Sequence, residues 1–156
     1  MRIIQRSSAC MFQHVRYEKL NSRQRENFNF QKVSALLADY GFATLRLSDD
    51  WNGADFIANN IDGTFLLVQL KSRWGINRKY EGKNLWMAFP CAGVWYLVEH
   101  DEMVKQAIGT TNIAQTDSWK QKGAYSNTNV PSGLREFLAQ YRLGAAESLA
   151  VEADAE

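Results

Sequence analysis

Between Asn21 and Gly41 the apolar residues recur at helical spacing. Phe30, Val33, Leu37 and Tyr40 fall three or four positions apart, which predicts one amphipathic helix. Asn21 or Ser22 can cap its start, and Gln24 stands where a capping-box partner of Asn21 belongs. Gly41 supplies the stop, because glycine enters the left-handed conformation that ends helices.

After Gly41 the period shortens to two. Phe42–Leu47 predicts a strand, Ser48–Gly53 a loop by composition, and Ala54–Ala58 a second strand. Asn59–Gly63 is rich in Asn, Asp and Gly and predicts a hairpin turn into a third strand, Thr64–Lys71. Alternation then puts Leu66, Val68 and Leu70 on one face of that strand, and Phe65, Leu67, Gln69 and Lys71 on the other.

Ser72–Lys83 reads as a basic loop containing Trp74 and Tyr80. Asn84–Phe89 and Val94–Glu99 read as two further strands joined around Pro90 and Gly93. Asp101 is placed to cap a short helix reaching Ile108. Residues 109–130 are polar and predict a long loop, and Ser132 is placed to cap a last helix, Gly133–Arg142. Helices and strands both occur along the chain, as in an α/β domain. Residues 1–20 form an N-terminal extension and 21–143 the domain. Residues 144–156, dominated by Ala, Glu and Asp, form an acidic tail expected to be disordered. Met11 is a second candidate start for the chain.

Composition narrows the class. The chain has 156 residues, 46% of them apolar, which suits one domain with its own core. Two distant cysteines, Cys10 and Cys91, make neither a disulfide framework nor a metal motif. The longest apolar runs are strand-sized and the N-terminus lacks a signal-peptide core, so a cytoplasmic, non-membrane protein is expected. Net charge is only +1, but it is unevenly spread: residues 1–83 hold 13 Lys and Arg against 8 Asp and Glu, and the remainder hold 5 against 9. That pattern suits a basic working face.

Candidate chemistry gathers at one place. Asp55 opens the second strand and Gln69-Leu70-Lys71 closes the third, so the hairpin brings them together. The spacing of two puts Gln69 and Lys71 on one face. Burying unpaired polar groups costs several kcal/mol in order of magnitude, so these side chains need partners, a metal or a substrate. Glu26 lies four residues before Phe30 and seven before Val33, on the helix face directed at the sheet, where a carboxylate is unusual unless paired or bound to a cation.

A helix glutamate, an aspartate, and a strand ending in acid-or-Gln, any residue, Lys together resemble the PD-(D/E)xK nucleases. The order Glu26, Asp55, Gln69-Leu70-Lys71 is similar to their Gln-bearing branch, which includes endonucleases associated with group I introns. The resemblance covers residues 21–71 and, more loosely, reaches Glu102. Ala54 stands where the family name has proline, and Gln69 where most members have a carboxylate.

The resemblance implies a restriction-endonuclease-like α/β fold, a mixed central sheet flanked by helices, and a metal-dependent endonuclease that hydrolyses DNA. Asp55 would be the central metal ligand, with the Gln69 side-chain oxygen and the Leu70 backbone carbonyl completing the protein's share of an Mg²⁺ shell, and Mn²⁺ as a substitute. Lys71 would orient the attacking water and offset phosphate charge. Glu26 would act through a water or at a second ion. The alternative is a non-catalytic DNA-binding module on the same scaffold, which the missing charge at Gln69 motivates.

Arg73, Trp74, Arg78, Lys79, Tyr80 and Lys83 follow the lysine directly and are expected to contact DNA, the cations at phosphates and the aromatics by stacking. Arg23 and Arg25 read as surface residues. Trp51, Trp86, Trp95 and Trp119 read as core or rim packing, His14 and His100 as isolated, and His100, after a strand, as a surface residue. A homodimer or higher homo-oligomer is expected through 84–89 and 94–98, read as exposed aromatic-rich strands.

Overall fold

A computed structural model describes residues 10–144 of the chain. The first helix, α1 (Ser22–Asp39), begins on the expected capping box. Gln24 N–H donates to Asn21 Oδ1, and Asn21 N–H donates to Gln24 Oε1, each at 2.9 Å. Two of its orphan amides are thereby satisfied. The helix ends at Gly41, whose φ of +82° the sequence anticipates.

Five strands make the main sheet: β1 (Phe42–Trp51), β2 (Ala54–Asn60), β3 (Phe65–Leu70), β5 (Leu85–Cys91) and β6 (Val94–Glu99). They lie in the order β1-β2-β3-β5-β6. β3 and β5 run parallel and every other neighbouring pair is antiparallel. The expected mixed central sheet flanked by helices is therefore what forms. Two short strands, β4 (Gly75–Asn77) and β7 (Ala124–Ser126), pair into a separate ribbon. Helices α2 (His100–Thr110) and α3 (Arg135–Ala139) complete the fold.

The sheet separates two cores. On one face α1 sets Val33 and Leu37 against Phe56, Ala58, Val68, Ala88, Trp95 and Leu97. On the other, α2 and the C-terminal segments enclose Trp74, Met87, Phe89, Val98 and Met103. The alternation of β3 divides as its sequence predicts. Val68 goes to the α1 core with Leu66 and Leu70 beside it, and Gln69 is buried on the opposite face.

Several expectations change. Ser48–Gly53 is not a loop: β1 runs to Trp51, and Asn52 and Gly53 turn the chain with φ of +55° and +93°. Two positive φ values match the twist of a tight hairpin, and Asn-Gly is the pair that adopts them most easily. Residues 72–83 and 109–130 are not plain loops. β4 lies in the first and β7 in the second, and the second also holds a 3₁₀ turn (Ile113–Gln115) and a π-helical turn (Ser118–Lys122). Ile113 and Trp119 anchor these turns in the α2-side core. α2 starts at His100, one residue before the expected cap, and the last helix is shorter than 133–142.

Residues 84–89 and 94–98 do not form an exposed face. Leu85, Met87, Ala88, Phe89, Trp95, Leu97 and Val98 are buried. The free edge of β6 is occupied by residues 141–143, with Leu97 N–H donating to the Tyr141 carbonyl and Leu143 N–H to the Trp95 carbonyl. Trp51, expected as core or rim, is 60% exposed. Of the N-terminal extension, Tyr17–Lys19 forms a 3₁₀ turn tied to α1 by Arg25 and Asn29. Residues 145–156 of the acidic tail lie outside the described residues. Among the described residues no helix is long and apolar enough to cross a membrane.

Candidate active site

The β2–β3 hairpin brings Asp55 to the end of β3. The ladder pairs Phe56 with Val68, and one further step in that register sets Asp55 beside Gln69. The contact is anchored by the backbone: Leu70 N–H donates to Asp55 Oδ2 at 2.7 Å. Lys71 follows immediately, its own N–H donating to Ala88 O of β5 at 2.8 Å. The three residues are thus held by strand pairing, which is stiffer than a loop.

Asp55 is half-buried. Burial raises its carboxyl above the ordinary carboxylate range. The Leu70 amide and the Lys71 ammonium oppose that shift, and the neighbouring Glu26 and Asp50 carboxylates add to it. The outcome is a carboxylate under negative pressure with one oxygen committed to Leu70, a state that a cation would relieve.

Gln69 is 3% exposed, and its Oε1 has no hydrogen-bond partner. Native interiors rarely leave such an atom unsatisfied. Gln69, Lys71 and Arg73 line a cleft of about 330 Å³ with Tyr125 and Ser126 of β7. Asp55 and Glu26 line a second cavity with Asp50 and Arg46, and Glu26, Leu70 and Lys71 share a third. Gln69 thus lines the first cleft and Asp55 the second, and the third links them, sharing Lys71 with the first and Glu26 with the second.

Glu26 is brought to the site but is already partnered. Arg46 of β1 binds its carboxylate and also Asn27, and its guanidinium lies 5.6 Å from the Phe30 ring. The Glu26 side chain is 54% exposed, so it faces the sheet edge and not the core. Arg46 and Asp50 are site residues that sequence reasoning passed over. The alternation that puts Arg46 on the α1 face of β1 was legible. Asp50 is hidden because the composition of 48–53 is that of a loop, whereas β1 runs on to Trp51.

The basic segment divides. Arg73, Arg78, Lys79 and Lys83 are exposed. Trp74 is fully buried, its Nε1–H donating to Met103 Sδ at 3.1 Å, so it packs the core and has no face for a base. Tyr80 is half-buried and packed against His100, ring centres 6.0 Å apart. Arg78 lies over Trp119, 4.8 Å from the ring centre. Arg25 is committed to the backbone of Tyr17 and Glu18.

His100 is not a surface residue. It is fully buried, bonded through Nδ1 to Asp101 Oδ1 at 3.0 Å, while Nε2 accepts from Asn77 N–H at 3.4 Å. That pattern calls for the Nδ1–H tautomer if the ring is neutral. Asp101 also accepts from Gly82 N–H at 2.9 Å. Although burial works against it, the bonds from His100 and Gly82 hold the Asp101 carboxyl below its usual range.

Among the described residues no three His, Cys, Asp or Glu side chains converge as a ready metal cage. The donors that fit a hard cation are of another kind: the free oxygen of Asp55 and the orphaned amide oxygen of Gln69. Both are hard oxygen donors, the class that Mg²⁺ takes while keeping most of its waters.

No family model matches the chain, and no curated protein matches it. Among solved structures it is similar to a bacterial homing endonuclease, I-Ssp6803I, with a TM-score of 0.48 and 15% sequence identity, over 78% of this chain and 86% of that one. At that distance the likeness carries no argument about activity, which has to come from the site itself.

Proposed function

We propose that the chain is a metal-dependent endonuclease that hydrolyses DNA phosphodiester bonds at the junction of β2 and β3, on a restriction-endonuclease-like scaffold. The observation that carries this reading is the buried, unpartnered Gln69 Oε1 beside Asp55 in the strand register, where burial raises the Asp55 carboxyl, with a lysine two residues further on. Among the described residues Lys71 and Asp55 form no salt bridge, and a structural ion pair between them would still leave the Gln69 oxygen without a reason.

Asp55, Gln69 Oε1 and the Leu70 carbonyl would hold Mg²⁺ or Mn²⁺, with Glu26 contributing through a water. When bound, such an ion polarises the phosphodiester and lowers the pKa of its water. Lys71 orients the attacking water and offsets the charge that grows on the phosphate. Arg46 fixes Glu26 at the mouth of the Asp55 cavity, which keeps a negative group within reach of Asp55. Arg73, Arg78, Lys79 and Lys83 supply phosphate contacts that hold the strand in place.

A DNA-binding module without turnover is the second reading. The specific observation in its favour is the amide at Gln69, which leaves Asp55 as the only carboxylate directly on the β2–β3 junction.

Cleavage of supercoiled plasmid decides between them. The endonuclease reading expects nicking or linearisation with Mg²⁺ or Mn²⁺. It also expects cleavage to be abolished by EDTA and to fall about 100- to 1000-fold in Lys71→Ala, the usual cost of removing one preorganised charge-stabilising donor. Salt-sensitive DNA retention with no product in either metal, across plasmid, linear and branched substrates, selects the binding module.

A further inference from the structure

Three lysines reach the same aromatic ring. Lys71 Nζ lies 5.5 Å from the centre of Tyr80, Lys79 Nζ 4.7 Å and Lys83 Nζ 5.7 Å. Among the described residues none of the three is in a salt bridge. Three ammonium groups gathered at one ring repel each other, and the quadrupole of a single ring offsets only part of that repulsion. An anion within reach of these ammonium groups would offset that repulsion.

The ring itself is fixed by the fold. It packs edge-to-face on the buried His100, with an interplanar angle of 89°. It also lies so close to the β1–β2 turn that a Cβ at Gly53 would stand 2.6 Å from Tyr80 Cε1. The His100–Asp101 pair then holds the loop on both sides of the tyrosine, through Asn77 N–H before it and Gly82 N–H after it. Tyr80 is therefore a preset platform and not a free plate for stacking a base. The lysines converge on it before any ligand arrives, which lowers the ordering cost of binding.

We propose that Lys79 and Lys83, with Lys71 shared between them and Asp55, form one phosphate-binding site built on Tyr80, and that it takes the phosphate adjoining the one being cut. Tyr80 is its positioning residue: it bears no charge and sets where the charges stand. The identity of the ligand as a DNA strand rests on the endonuclease reading, whereas the phosphate chemistry rests on the lysines.

Two measurements test this on the full chain. The first is lysine acylation read by mass spectrometry, with and without inorganic phosphate, for wild type, Tyr80→Phe and Tyr80→Leu, with the unfolding midpoint of each recorded. Phosphate is expected to protect Lys79 and Lys83 together in wild type and Tyr80→Phe, and to lose that joint protection in Tyr80→Leu. No protection in wild type, or equal protection in a folded Tyr80→Leu, overturns the proposal.

The second is the salt dependence of duplex DNA retention without divalent metal, in an Asp55→Asn background. Losing one phosphate contact lowers the slope of log affinity against log salt by about 0.9. Tyr80→Leu is expected to show that drop although no charge is removed. The surface pair Lys79→Gln with Lys83→Gln is expected to show at least as much, whether or not Tyr80→Leu folds. An unchanged slope in the lysine pair overturns the proposal. Joint protection by phosphate in a protein that gives no plasmid cleavage in Mg²⁺ or Mn²⁺ supports the anion site and removes the endonuclease reading, so the two fail separately.

Discussion

Two polar side chains, Gln69 and His100, are buried on the α2 side of the sheet, and they are held on different terms. His100, wholly buried, has a partner at each ring nitrogen: Asp101 on one side and the Asn77 amide on the other. Gln69, 3% exposed, leaves Oε1 with none. An unmade bond to a buried polar atom costs about 1–3 kcal/mol, so the two regions contribute to folding with opposite sign. The region around His100 closes on itself and fixes the loop from Asn77 to Gly82. The region around Gln69 stays unfinished, next to Asp55, whose carboxyl is raised chiefly by burial. A fold keeps such an unfinished place where something outside the chain completes it.

The largest effect that tests this contrast is at Gln69. Gln69→Leu keeps the shape and removes the orphan, so the fold should hold or gain stability, while cleavage drops by about 10- to 100-fold, the scale of losing one metal-supporting group. Urea unfolding and plasmid cleavage on the same preparation read both. A clear loss of stability with full cleavage reverses the assignment of the two regions.

His100→Leu should do the opposite. It strands Asp101 and the Asn77 amide, so unfolding free energy should fall by about 1–3 kcal/mol in urea titrations. Any loss of cleavage should track the loosening of the Tyr80 loop and not the metal requirement.

A smaller effect sharpens the contrast through pH. Asp55 binds its proton more tightly folded than unfolded, since its folded pKa lies above 3.8. In the window from 3.8 up to that raised value, the folded state carries more protons, so stability falls as pH rises. Above the window the ionised Asp55 is a standing cost. Asp55→Asn should therefore melt higher than wild type at neutral pH, and the gap should close as pH is lowered through the window. Thermal melts across pH 3–8 check it, and a variant that melts lower at neutral pH contradicts it.

Much of this contrast was visible in the sequence where the cause is local. The capping box of Asn21 and Gln24, the stop at Gly41, the turn after Asn59 and the alternation of β3 each depend on residues within a few positions of one another. The meeting of Asp55 with Gln69 and Lys71 followed from hairpin length alone. What stayed hidden depends on distant partners. β4 is a strand only because Ala124–Ser126 comes back to pair with it. Trp74 is buried because α2 brings Met103 over it. His100 looks like a surface residue in the sequence because the groups that satisfy it, the Asn77 amide and the carboxylate of its neighbour Asp101, meet it only in the folded chain. Arg46 binding Glu26 belongs to the same class, since it joins β1 to α1 across 20 positions of sequence.

The most direct test of the central claim is Mn²⁺ binding to the protein without DNA, followed by electron paramagnetic resonance. If Asp55 and the Gln69 oxygen share one cation, wild type should bind Mn²⁺, Gln69→Glu should bind it more tightly, and both Asp55→Asn and Gln69→Leu should weaken it by about tenfold or more. Equal Mn²⁺ binding by wild type and Gln69→Leu, with Asp55→Asn unchanged, would contradict the account.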